Sequence, residues 1–181
     1  MRHHLRFFLI SVVITSSIAS GAVAAPITIG RSASPITLEG AAGGKLTGEP
    51  WNSEDIAKMG KVVSLFYVDP EEKKLNEPLE DAYDAEHFPA DKHQGIAIIN
   101  MAAAWYPNSM IDSQLKQKQE KFPRTIYVKD MKKALAHEWD LQDDSVNIVV
   151  FAKDGKAIFT KKGQMSPDEI SKLMKLIRSN L

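Results

Sequence analysis

Three short apolar runs constrain this chain more than any other feature: Lys61–Val68 (KVVSLFYV), Gly95–Asn100 (GIAIIN) and Val146–Ala152 (VNIVVFA). Rich in β-branched and aromatic residues, they read as buried strands of a sheet covered on both faces. Residues 72–88 between the first two predict a charged amphipathic helix interrupted by Pro78, with Leu75, Leu79, Ala82 and Tyr83 on its inner face. A loop from Met101 to Pro107 leads into a polar helix from about Ser109 to Lys121. Pro123 then resets the chain for a strand at Thr125–Val128, and Asp130 can cap a short helix running through His137.

After a polar loop from Leu141 to Ser145 comes the third run, from which Asp154-Gly155 turns into Lys156–Lys161, a hairpin signal. Ser166-Pro167-Asp168-Glu169 forms a capping box with proline at the first helical position. Ile170, Leu173, Met174 and Ile177 follow at i, i+3, i+4 and i+7, an apolar stripe for the sheet. Upstream, Asn52–Asp55 start a short helix that ends near Gly60. Ile36–Leu38 and Lys45–Thr47 flank Gly40–Gly44 and predict a short hairpin. Strand–helix–strand crossovers favour parallel pairing and the closing hairpin is antiparallel, so the expected sheet is mixed.

The first 24 residues read as an export signal. Arg2 and Arg6 precede an apolar stretch from Phe7 to Val13, and Ala22-Val23-Ala24 supplies the small residues before a cut after Ala24. A membrane span needs about 20 apolar residues, and this run is shorter and broken by Ser and Thr. The expected organisation is a signal peptide (1–24), an extension with a short hairpin (25–50) and one domain (51–181), located in the periplasm. The 23 basic and 23 acidic residues balance, and removing Arg2 and Arg6 leaves a slight acidic excess. That balance gives no electrostatic case for nucleic acid or an anionic membrane surface.

The order βαβα(βα)ββα, with a four- to five-stranded mixed sheet, helices on both faces and a C-terminal ββα unit, resembles the thioredoxin-like α/β fold. The passages PWNSEDIAKMGKVVSLFYV and VNIVVFAKDGKAIFTKKGQMSPDEISKLMKLI carry that resemblance. More narrowly, Trp51-Asn52-Ser53, Ile99-Asn100, Trp139 with Leu141, Asp154-Gly155 and Ser166–Glu169 resemble the YtfJ family of exported, uncharacterised bacterial proteins. The resemblance implies where redox cysteines would stand: just after the first central strand, which here reads Asp69-Pro70-Glu71-Glu72. It also implies a cis-proline ahead of the third run, where this chain has Ser145 or Val146, so an ordinary trans bond is expected. The chain has no cysteine. Thiol–disulfide chemistry proceeds through a thiolate, so this chain cannot perform it.

Two loops remain as candidate sites. The vacated redox loop, Asp69 to Asn76, lies where open α/β sheets hold ligands, although acids at a helix start are also an ordinary cap. The segment Met101–Met110 carries Met101, Trp105, Tyr106 and Met110, either as an interaction surface or as a lid folded over the sheet edge. Trp51 and Trp139 read as core residues. No metal or other cofactor is expected; the alternative is Asp84 with His87 and His93, or His137 with Glu138 and Asp140. No G-x-S-x-G or phosphate-binding glycine loop occurs. The expectation is a binding or adapter module for a periplasmic protein or small molecule. The alternative is a cysteine-free enzyme or metal carrier using the vacated loop.

Overall fold

The computed structural model describes residues 25–181, so the signal peptide expected over residues 1–24 lies outside the described residues. The central layer is a six-stranded mixed sheet built from β2 (Gly43–Lys45), β4 (Val62–Val68), β5 (His93–Asn100), β6 (Ile126–Asp130), β7 (Val146–Phe151) and β8 (Ala157–Lys162). The spatial order is β2-β6-β5-β4-β7-β8. β4, β5 and β6 run parallel through their crossovers, whereas β2, β7 and β8 pair antiparallel. Two further short strands, β1 (Thr37–Leu38) and β3 (Trp51–Asn52), pair with each other.

Alternation along the strands assigns their side chains to two faces. Val63, Leu65 and Tyr67 of β4 join Trp51, Ile56, Leu135 and Trp139 on one face, covered by α1 (Asp55–Lys58) and α4 (Ala134–Trp139). Val62, Phe66 and Val68 face the other way, toward α2 (Glu77–Glu86) and α5 (Pro167–Asn180). On that same side α3 (Asn108–Lys121) sets Ile111 and Leu115 against Ile99 and Tyr127. The α5 stripe is buried as its spacing predicts, and the Ser166–Glu169 capping box is formed in both directions. Full burial of such side chains contributes about 1.5–3 kcal/mol each. Trp51 and Trp139 are core residues packed edge to face at 6.4 Å.

Two expectations need correction. Ile36–Leu38 and Lys45–Thr47 do not form a hairpin: β1 pairs with β3, while β2 crosses to β6 and becomes the sixth strand of the main sheet. The reason is steric, since a Cβ on Gly43 would overlap the Lys129 carbonyl. The glycine run therefore permits close backbone approach rather than a local turn. The helix expected over 72–88 also begins later. Pro70–Asn76 forms a 3₁₀ stretch and α2 starts at Glu77, so Pro78 lies in its first turn, where a missing N–H costs nothing.

Candidate functional site

The parallel strands deliver their last residues to one end of the sheet, and the two candidate loops meet there. Asp69 follows β4, Asn100 ends β5, Asp130 ends β6 and Ser145 precedes β7. Asp69 is buried and exchanges hydrogen bonds with Ser145: its N–H donates to the Ser145 carbonyl at 3.2 Å, and the Ser145 N–H donates to its Oδ2 at 3.1 Å. The Asn100 Nδ2 donates to Asp69 Oδ1 at 2.6 Å and to Asp143 Oδ1 at 3.4 Å. Its Oδ1 is buried without a partner among the described residues. Among the described residues there is no cis peptide bond, so the junction before β7 is trans as expected.

Charge is concentrated here. One carboxylate oxygen each of Asp69, Asp143 and Asp144 lies within 4.8 Å of the others. Lys133 pairs with Asp143 and holds its carboxyl below the usual carboxylate value. Burial raises the Asp69 carboxyl, opposed by the hydrogen bonds from Asn100 and Ser145. Beneath them Tyr67 donates to Asp130 Oδ2 at 3.3 Å, and burial together with Asp130 and Asp69 raises its hydroxyl pKa.

The aromatic loop sits beside this network. The Trp105 backbone N–H donates to Glu71 Oε1 at 3.0 Å, tying residues 101–107 to the 3₁₀ stretch that follows β4. Trp105 is 84% exposed and meets the half-buried Tyr106 edge to face at 5.6 Å. The four residues of that loop therefore divide. Met110 is 53% exposed with Trp105 on the surface, whereas Met101 is buried against Ile99 and Ile111. Pro70 and Tyr106 also line a cavity of about 400 Å³ between the sheet, α2 and α3, walled by Phe66, Ile99, Leu115 and Tyr127. Volume and apolar lining are those of a small-ligand or side-chain pocket.

His93 lies at the opposite end of the sheet, buried, with its Nε2 engaged by the hydroxyls of Ser64 and Tyr83. His87 is exposed, at a left-handed turn. Among the described residues the three-carboxylate group at Asp69 contains neither histidine. Asn100, Lys133 and Asp143 were not recognisable as site residues from sequence. Only Asn100 carried a local signal, a polar residue closing an apolar strand.

A family model described as "Bacterial protein of unknown function (YtfJ_HI0045)" matches residues 34–180. An uncharacterized protein of Haemophilus influenzae is 29% identical over 130 residues, 71% of each chain. The uncharacterized protein YtfJ of Escherichia coli is 26% identical over 132 residues, 72% of each chain. Among solved structures, the pneumococcal exposed lipoprotein thioredoxin Etrx1 of Streptococcus pneumoniae superposes with a TM-score of 0.57 at 16% identity, covering 79% of this chain and 99% of that one. A thiol-disulfide isomerase from Corynebacterium glutamicum gives 0.54 at 17% identity, with coverages of 76% and 92%. Similarity at this level establishes a shared thioredoxin-like fold, here in a chain without cysteine.

Proposed function

Because the chain belongs to the YtfJ_HI0045 family and has a thioredoxin-like fold with no thiol, we propose that it is a periplasmic binding or adapter module. The partner segment docks where redox-active thioredoxin-like enzymes carry their cysteines, across Pro70, Glu71, Trp105 and Tyr106. The observation that carries this reading is the Trp105–Glu71 hydrogen bond, which anchors the backbone of an indole that stays 84% exposed. An uncovered aromatic on a tethered backbone spares the loop part of its ordering cost on binding, and indole and phenol rings dominate interface energetics. The adjoining cavity of about 400 Å³ can receive one apolar side chain of the partner. Among the described residues no helix is long and apolar enough to cross a membrane.

Crosslinking in the native periplasm tests the docking face. The unaltered protein is expected to capture a stoichiometric partner, and Trp105→Ala with Tyr106→Ala to lose it. Exposed substitutions of this kind shift stability by about 0.5 kcal/mol, somewhat more at half-buried Tyr106, so the loss would not reflect unfolding. Equal capture by the double variant would remove the loop from the interface. Export has its own check: intact mass of the periplasmic protein should correspond to a chain starting at Ala25. A mass retaining residues 1–24 would refute the cleavage site.

A further inference from the structure

A second cavity, of about 580 Å³, opens at the opposite end of the sheet, where β4, β5 and β6 begin. Lys61, Lys121 and Arg124 line it, and among its lining residues Asp84 is the single carboxylate. The three cations have only weak or neutral partners. Lys61 Nζ donates to the Ala90 carbonyl at 2.8 Å, and Arg124 Nη1 to the Phe88 carbonyl at 3.4 Å. Lys121 Nζ lies 4.7 Å from the centre of the Phe122 ring. Among the described residues none of the three forms an ion pair, although nine ion pairs occur elsewhere on the molecule.

Three cations lining one concave wall focus a positive potential into it, which favours a bound anion. Arg124 supplies a planar fork suited to phosphate or carboxylate oxygens, and the two lysines supply point charges. Phe88, Phe122 and Tyr83 provide aromatic surface in the same cavity, so the ligand has an apolar part as well as a head. We propose that this cavity binds a small organic anion carrying a phosphate or carboxylate head and a flat apolar body. The site is separate from the Trp105 face and does not rest on the adapter reading.

Phenyl phosphate is a suitable probe because it carries both parts, with inorganic phosphate as the head alone. In amide NMR titrations of the protein, phenyl phosphate is expected to give saturable shifts confined to Lys61, Tyr83–Gly95 and Lys121–Thr125. Its affinity should exceed that of inorganic phosphate and fall about tenfold in Arg124→Ala, the usual scale of losing one charge-assisted contact. Lys121→Gln, at an exposed position, should weaken binding while the remaining spectrum stays native. Absence of saturable shifts, shifts mapping to the Pro70–Tyr106 cavity, or unchanged affinity in both variants would overturn the assignment. Equal affinity for the two probes would refute the apolar part of the ligand.

Discussion

Replacing Asp130 with alanine is expected to destabilise the protein by about 4 kcal/mol, near the upper end for a single substitution. Asp130 is fully buried, and its carboxylate serves four donors. Oδ1 accepts from the N–H groups of Lys132 at 3.1 Å and Ala134 at 2.9 Å; Oδ2 accepts from the Leu135 N–H at 2.8 Å and the Tyr67 hydroxyl at 3.3 Å. Alanine leaves those donors without their acceptor, and each buried orphan costs about 1–3 kcal/mol before relaxation. Asparagine keeps one acceptor oxygen but turns an NH2 group toward the other donors, so it should still cost about 3 kcal/mol. Chemical denaturation with an unchanged denaturant slope checks both values. A loss under about 1 kcal/mol in the alanine variant would mean that this carboxylate does not organise the start of α4. The effect bears on the candidate site too, because the Asp130 carbonyl accepts the Met101 N–H at 2.9 Å and so anchors the aromatic loop.

The second large effect is a loss of stability in acid. Burial, reinforced by the charge of Arg124, lowers the His93 imidazole from its ordinary 6.5 to about 4. The folded protein thus holds His93 neutral while the unfolded chain protonates it, so acid favours unfolding. The contribution is fully present above pH 6.5, declines as pH falls from there toward 4, and totals about 3 kcal/mol. Asp69 acts in the opposite sense. Its folded value is raised above the unfolded one, so its contribution is present at low pH and is lost as pH rises through the folded value. Comparing the protein with His93→Gln at each pH isolates the histidine, because glutamine still offers polar atoms to Ser64 and Tyr83 but does not titrate. The wild-type curve should fall relative to that of the variant by about 3 kcal/mol as pH drops across this window, whatever their separation at neutral pH. Parallel curves would show that His93 is protonated equally in both states.

Much of the architecture was legible because its causes are local. β-branched runs marked β4, β5 and β7, and the strand–helix–strand crossover from β4 to β5 called for parallel neighbours, whereas β7 runs antiparallel to β4. The capping box at Ser166 and the spacing of Ile170, Leu173, Met174 and Ile177 specified α5 and its buried face. The candidate site was legible only in part. Asp69–Glu72 and Trp105–Tyr106 stood out as two loops, but nothing in sequence spacing indicates that the Trp105 N–H reaches Glu71 across 34 residues. Met101 shows the same limit: it belongs to an aromatic and methionine-rich segment, yet its position next to β5 turns it into the core.

By itself, then, the sequence determined the layered α/β class through its periodicity and capping and excluded thiol chemistry through its residue inventory, while the family followed from resemblance to known proteins. Tertiary structure alone decided that Gly43 and Gly44 extend the sheet instead of closing a hairpin, since the missing Cβ matters only where the Lys129 carbonyl approaches Gly43 and the Glu49 carbonyl approaches Gly44. It alone set Asn100 and Ser145 against Asp69 at one end of the sheet, and three cations around a cavity at the other. Those groupings depend on strand order and register, which bring together residues that no short-range pattern connects.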